Sequence, residues 1–188
     1  MKIFHAMTPR VLKKIALAGI FEFGPVLIFL IAFELFHIYK ATIVLMIATI
    51  ISTIVTYRMQ KRLPYVALYI ALLTGIFGYI TVTKHEPKFI QMRDTLYDAT
   101  LALTLIVGLL FNIQFLKIAF HSIIPMTDRA WKRLTYFWIS FFFLIATANE
   151  YVRRFMSLRD WFDFKSTMIL VTLISGCIAL YYVYEKED

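Results

Sequence analysis

Six apolar runs, each near the length of a bilayer crossing, constrain this chain more than any other feature. They cover residues 24–39, 41–57, 63–83, 96–116, 134–152 and 167–184. A helix needs about 20 residues to cross about 30 Å of hydrocarbon, and none of the runs alternates as a barrel strand does. Only helices satisfy their own backbone polar groups in lipid. The chain is therefore predicted to be all-α, a polytopic transmembrane helical bundle with six spans.

The first two runs are the shortest, and only HIYK, residues 37–40, separates them. They predict either a tight helical hairpin or, if the first run lies in the membrane interface, a total of five spans. The expected organisation is a cytoplasmic N-terminal segment (1–22), a single transmembrane helical domain (23–184) and a cytoplasmic tail (185–188). The connections are too short to house a soluble domain.

Composition agrees with a membrane protein and argues against other classes. Hydrophobic residues make up 61% of the 188 positions, and the mean hydropathy is +0.73. The net charge is +8, and the charged residues cluster at the ends of the apolar runs. This placement favours a role at membrane boundaries over nucleic-acid binding. Lys and Arg number twelve on one side of six spans and eight on the other. The first side, with both termini, is therefore predicted to be cytoplasmic.

Metal and redox chemistry have little support in the sequence. The one cysteine, Cys177, allows no intrachain disulfide and no Cys/His metal cluster. His85, Glu86, Asp94 and Asp98 offer potential ligands outside the membrane. Carboxylates in the first turns of a helix are, however, stabilised by its dipole without any metal. We therefore predict no metal site and no cofactor.

The polar and small residues inside the apolar runs can be explained by helix packing or by contact with the membrane interface, without a functional role. Glu34 has a histidine at i+3, which predicts either a proton-responsive pair or two side chains that reach the nearby interface. Asn112 and Gln114 are expected to bond to another helix. Gly75 and Gly78 are expected to allow close helix approach.

Two membrane boundaries carry clustered charge. Glu150 has Arg153 at i+3 and Arg154 at i+4, which predicts an exposed local ion pair where the fifth span ends. The stretch from Lys117 to Trp138 holds four basic residues and two Trp at the predicted cytoplasmic boundary. We interpret it as a positive-inside signal, and recognition of a lipid headgroup or an acidic protein is the functional alternative.

A set of motifs along the chain carries a family resemblance. FGYIT (77–81) is followed by His85, Phe89 and Thr95, and IYKAT (38–42) lies between the first two runs. The later motif residues are Trp131, Trp138, Asn149, Tyr151, Trp161 and Lys165. In these residues and their spacing the chain resembles the intracellular septation protein A family, also called the inner membrane-spanning protein YciB family. It departs from the family pattern at Glu34, Arg93 and Thr135.

The resemblance implies a bacterial inner-membrane protein with a role in cell envelope biogenesis, envelope integrity and membrane homeostasis, linked to cell division and septation. It implies no known enzyme activity and no catalytic residue. Membrane lipids are the expected partners, together with other inner-membrane proteins of the envelope or of division, or a second copy of the chain. The nominated interaction residues are His85, Phe89, Thr95, Trp131, Trp138, Asn149, Tyr151, Trp161 and Lys165. Most lie at predicted helix ends, where a docking surface is expected.

The alternative function is a small transporter or a lipid-translocating protein. Such a protein needs a polar path through the bundle, and Glu34, Asn112, Gln114 and Asn149 are the candidates for that path. Side chains dispersed toward lipid or loops count against it.

Overall fold

The computed structural model describes residues 9–61, 63–120 and 126–185. The regular elements of that part are six helices: α1 (Pro9–Gln60), α2 (Tyr65–Lys84), α3 (Lys88–Leu110), α4 (Phe115–Phe120), α5 (Asp128–Phe155) and α6 (Leu158–Glu185). The prediction of an all-α helical fold is confirmed. The chain forms two compact units, unit 1 ending at Arg93 and unit 2 beginning at Asp94. The start of the expected N-terminal segment (1–8) and the end of the expected tail (186–188) lie outside the described residues.

Three helical stretches of the described part are long and apolar enough to cross a membrane: Phe23–Met59, Tyr65–Lys84 and Leu158–Ala179. The first has 37 residues and holds the first two apolar runs, so it exceeds the length of one crossing. The fourth and fifth runs lie mainly in α3 and α5, which carry more polar side chains. The count of six spans remains a prediction.

In unit 1, the break between the first two runs falls at a single residue. His37 has φ 62° and ψ 176° within α1, whereas the residues on either side are helical. This backbone region is almost reserved for glycine, so an L-residue there is strained. The sequence expectation that His37 shares a helical face with Glu34 is therefore wrong, because the i+3 relation requires an unbroken helix.

The second arm of α1, residues 38–60, packs against α2 through a glycine. A Cβ added at Gly78 would lie 2.7 Å from Met46 Sδ and 3.3 Å from Thr42 Cγ2. Gly75, one turn earlier, has nothing within 4 Å of the equivalent position. Close helix approach is therefore confirmed at Gly78 and was wrongly expected at Gly75.

Polar side chains are buried within unit 1. Arg93 is only 8% exposed, and its Nη1 donates a hydrogen bond to Thr74 Oγ1 at 3.1 Å. Thr42 and Thr81 are fully buried, and each donates its hydroxyl proton to the backbone carbonyl four residues earlier. Each of these groups therefore has a hydrogen-bond partner inside the unit, as burial in an apolar environment demands.

In unit 2, a tight turn separates α3 from α4. Asn112 has φ 56°, the left-handed conformation that asparagine tolerates better than most residues, and the amide of Ile113 donates to the carbonyl of Gly108 at 2.7 Å. A Cβ at Gly108 would lie 2.6 Å from the Phe115 ring. The apolar run 96–116 therefore does not form one helix to residue 116, because the chain turns after Leu110.

The α5 helix has one buried face at helical spacing, which includes Trp131, Leu134, Phe141, Ala146, Asn149 and Val152. A hydrophobic cluster at one end joins Ala130, Trp131 and Leu134 of α5 to Ala179 of α6. Burial of this apolar face drives the packing of α5 against its neighbours. The face also places Trp131 and Asn149 at opposite ends of the helix, about 27 Å apart at 1.5 Å per residue.

Candidate functional site

An asparagine side chain joins three helices of unit 2. Asn149 of α5 donates from Nδ2 to Thr95 Oγ1 of α3 at 2.7 Å, and its Oδ1 accepts from Trp161 Nε1 of α6 at 2.9 Å. Asn149 is 3% exposed and Trp161 is 0% exposed. The amide therefore offers a donor to one helix and an acceptor to another at a place from which water is excluded.

The start of α6 positions Trp161. Ser157 Oγ accepts from the backbone N–H of Asp160 at 3.2 Å, and Asp160 Oδ2 accepts from the backbone N–H of Ser157 at 3.0 Å. This reciprocal arrangement is a capping box, which satisfies backbone donors at a helix start. It fixes the first turn of α6 and so the direction from which the Trp161 ring enters the unit.

A second pairing lies beside the first. Lys165 forms a salt bridge with Asp94 of α3, and their side chains are 12% and 14% exposed. The Lys165 Nζ also lies 5.5 Å from the centroid of the Trp161 ring, within range of a cation–π interaction. Lys165 follows Trp161 by four residues, so both project from the same face of α6.

Glu150 connects this region to the end of α5. Its carboxylate accepts from Arg153 Nε at 2.9 Å and from Arg154 Nε at 2.5 Å, and Thr95 Oγ1 lies 3.5 Å from Oε2. The hydrogen bonds to Glu150 raise the pKa of Arg153 above its ordinary value, so this guanidinium stays charged. The Arg153 side chain is 13% exposed and that of Glu150 is 27% exposed. The expectation of an exposed local ion pair is therefore wrong for Glu150 and Arg153.

Seven residues thus form one set of polar contacts in unit 2, which we call the Asn149 network: Asp94, Thr95, Asn149, Glu150, Arg153, Trp161 and Lys165. Four of them were nominated from the sequence, namely Thr95, Asn149, Trp161 and Lys165. The pairing of Asp94 with Lys165 is not predictable from the sequence, because their separation of 71 residues carries no local signal. The capping box Ser157–Asp160 was detectable from its spacing alone.

Two further nominated residues belong to the interior of unit 2. Trp131 is 1% exposed within the hydrophobic cluster, and its Nε1 has no hydrogen-bond acceptor among the described residues. Trp138 packs against the same cluster, and its ring contacts Phe141 and Phe142 at centroid distances of 5.3 Å. Their rings stabilise the packing of α5 and are not exposed as a docking surface.

Three nominated residues lie outside these interiors. Tyr151 is 59% exposed, and its ring lies 5.2 Å from that of Phe155. In unit 1, His85 ends α2 with φ 53°, and its carbonyl accepts from the Tyr39 hydroxyl at 2.7 Å. Phe89 is half-buried beneath Lys88, whose Nζ lies 5.5 Å from the ring centroid. Of the nine nominated residues, His85 and Tyr151 are the ones with exposed side chains.

The arrangement holds helices together and offers little to a reaction. Both atoms of the Asn149 amide are engaged, and the carboxylates of Asp94 and Glu150 are paired with cations. Among the residues that the structure describes, no three His, Cys, Asp or Glu side chains are grouped so as to hold a metal ion.

Comparison with known proteins identifies the family to which the chain belongs. The sequence model of the family described as Intracellular septation protein A matches residues 17–188. A protein of Afipia carboxidovorans named Inner membrane-spanning protein YciB is 35% identical over 145 residues, which cover 77% of this chain and 72% of the relative. The protein of the same name from Shewanella sp. strain ANA-3 is 32% identical over 165 residues, or 87% of this chain and 91% of the relative. No solved structure matches. The chain therefore belongs to the Intracellular septation protein A family and is a multi-pass protein of the bacterial cell inner membrane.

Proposed function

We propose that this chain supports envelope biogenesis, envelope integrity and membrane homeostasis during cell division, through contacts with lipids or other inner-membrane proteins rather than by turning over a substrate. The observation that carries the proposal is the Asn149 network. The nominated polar side chains Thr95, Asn149 and Lys165 are held in this network, which joins α3, α5 and α6. A rigid boundary of this kind suits a protein that presents a surface.

An exposed tyrosine beside the Asn149 network supports a function that depends on contact with partners. Tyr151 follows Asn149 by two residues, so the buried amide holds in place the turn of α5 from which an exposed ring projects. Phenol rings at a membrane boundary combine an apolar body with a polar tip and are common in protein interfaces. Tyr151 is therefore the residue of unit 2 that we assign to partner contact.

The alternative function, a small transporter or lipid-translocating protein, needs polar groups along one path. Within unit 2, Asn112 and Gln114 follow the end of α3, whereas Asn149 bonds to Thr95 near its start. At 1.5 Å per residue, Thr95 and the end of α3 at Leu110 are about 22 Å apart. Glu34 of unit 1 is exposed on its helix. These positions favour the contact-based function.

Two tyrosines of α5 provide a matched test in a strain that lacks the protein. Tyr151 and Tyr136 are 59% and 61% exposed, and only Tyr151 belongs to the nominated set. We expect Tyr151→Ser to insert normally, to co-purify fewer envelope proteins or lipids, and to leave the strain sensitive to detergent. Tyr136→Ser is expected to restore envelope integrity.

Protein level and melting temperature in detergent are measured for both variants, so that loss of function is separated from loss of fold. Full rescue by Tyr151→Ser would contradict the assigned surface. If Glu34→Ala or Asn112→Ala abolished rescue at normal protein levels while Tyr151→Ser rescued, a transport path would replace the contact-based proposal.

A further inference from the structure

The turn between α3 and α4 forms one side of a cleft in unit 2. The left-handed Asn112 and the bond from the Ile113 amide to the Gly108 carbonyl fix its backbone. The cleft has a volume of about 350 Å³, and its lining residues are Asn112, Gln114, Lys117, Ile118 and Asp128. This volume lies at the lower end of the range for small-molecule sites. The cleft is separate from the Asn149 network, which lies at the other end of α3.

One atom of a lining residue lacks a hydrogen-bond partner among the described residues. Gln114 Oε1 is buried and has no hydrogen-bond donor among the described residues. A buried amide oxygen without a donor is costly, and a bound group that supplies the missing hydrogen removes that cost. The cleft therefore presents an acceptor to a ligand that carries N–H or O–H groups.

The charges of the cleft are balanced. Lys117 and Asp128 supply one cation and one anion and form a salt bridge with each other. Their side chains are 40% and 70% exposed, so the pair contributes little to stability and separates readily when a ligand offers each partner a better one. A simple anion would satisfy Lys117 and be repelled by Asp128. A zwitterion satisfies both.

The surroundings of the cleft are apolar. Phe111, Ile113 and Ile118 are 73%, 43% and 64% exposed on the turn and on α4. In a membrane protein such side chains contact acyl chains, and the cleft lies at the boundary where the sequence places the cytoplasmic headgroups. The ligand is therefore expected to be a lipid rather than a water-soluble headgroup.

We propose that this cleft binds the headgroup of a phospholipid that carries a phosphate and a primary ammonium, as phosphatidylethanolamine does. The phosphate replaces Asp128 as the partner of Lys117. The ammonium donates to the Asp128 carboxylate and to Gln114 Oε1, and the acyl chains lie over Phe111, Ile113 and Ile118. This inference rests on one part of the proposed function, namely that the protein contacts lipids.

Native mass spectrometry of the full chain tests whether the cleft prefers such a headgroup. The protein is released from detergent that contains equal amounts of phosphatidylethanolamine, phosphatidylcholine and phosphatidylglycerol, all with identical acyl chains. Phosphatidylcholine has the same charges but no N–H group, and phosphatidylglycerol is anionic. We expect phosphatidylethanolamine to be retained over phosphatidylcholine by about fivefold, the factor for one hydrogen bond. Gln114→Leu is expected to weaken that preference, because only the Asp128 carboxylate then accepts from the ammonium, whereas Gln114→Glu, which keeps an acceptor, retains it.

Lys132→Gln is the control, because Lys132 is exposed on α5 and does not line the cleft. It is expected to leave the preference unchanged. The proposal is overturned if Gln114→Leu, shown to be folded by its melting temperature, keeps the full preference, or if phosphatidylglycerol is retained best. It is also overturned if soluble glycerophosphoethanolamine competes as well as the lipid. These binding results are independent of rescue by Tyr151→Ser, so either proposal can fail alone.

Discussion

The Asn149 side chain shows how a single residue can determine the ends of three helices. A side-chain amide donates and accepts through separate atoms, so it can bond to a hydroxyl on α3 and an indole on α6 together. Aspartate in its ionised form only accepts, and leucine does neither. Burial makes each lost bond costly, because no water replaces it. The requirement for asparagine at this position is therefore chemical and not only steric.

Two buried tryptophans allow the contribution of the indole hydrogen bond to be measured. Trp161→Phe removes the donor to Asn149 Oδ1, whereas Trp131→Phe removes an N–H that has no acceptor among the described residues. Both changes delete the same ring atoms from buried positions. We expect Trp161→Phe to lower the free energy of unfolding by about 1–2 kcal/mol more than Trp131→Phe. Thermal unfolding in detergent measures the difference, and equal losses would show that the hydrogen bond contributes nothing.

The Glu150 carboxylate also has a matched comparison. Glu150→Gln removes the charge that pairs with the largely buried Arg153, and Asp163→Asn removes the charge of an i,i+4 pair whose side chains are more than half exposed. The first change is expected to cost about 1–2 kcal/mol and the second less than about 0.5 kcal/mol. Unfolding in detergent at low and high salt checks this, and the smaller loss should also be the more sensitive to salt.

At the scale of elements, apolarity predicts where helices exist but not where they begin. The sixth apolar run was placed at 167–184, yet α6 begins nine residues earlier, at Leu158. The capping box at Ser157 and Asp160 starts the helix, and its first turns are amphipathic, with Trp161 buried and Arg159 exposed. A search for hydrophobic residues alone does not detect polar residues that stabilise a helix end.

The Asn149 network was only partly predictable for a related reason. Motif residues identified Thr95, Asn149, Trp161 and Lys165, but their joint packing depends on pairings across 54 and 12 residues that no local pattern encodes. The strained His37 was likewise not detectable, because histidine has no preference for its backbone conformation.

Two glycines test whether helix ends and helix interiors respond differently. Gly75→Ala meets nothing within 4 Å, so it should raise the free energy of unfolding by about 0.5–1 kcal/mol through helix propensity. Gly108→Ala would place its Cβ 2.6 Å from the Phe115 ring and 2.7 Å from the Ile113 carbonyl oxygen. That clash at a fixed turn is expected to cost about 1–3 kcal/mol. Opposite shifts in melting temperature are the expected result, and a stabilised Gly108→Ala would show that the turn is not fixed.

At the scale of the whole molecule, the question is which helices cross the membrane. Three stretches of the described part qualify by length and apolarity, whereas α3 and α5 are more polar. A buried polar face explains that difference, since Thr95, Asn149 and Arg153 lie inside unit 2 and need not meet lipid. Both helices are longer than the roughly 20 residues that a crossing requires. The apolar remainder of each helix therefore permits it to cross.

Labelling of single cysteines with a membrane-impermeant maleimide tests the six-span arrangement with both termini cytoplasmic. In a Cys177→Ser background we expect Glu86→Cys and Met156→Cys to react in intact cells, because the sequence places these exposed positions outside. Lys61→Cys and Arg129→Cys, also exposed, should react only after the membrane is opened. The reverse pattern would overturn the orientation. Reaction of Glu86→Cys and Arg129→Cys on the same side would instead show that α3 does not cross, which would leave the buried face of α5 without a membrane-spanning neighbour at Thr95.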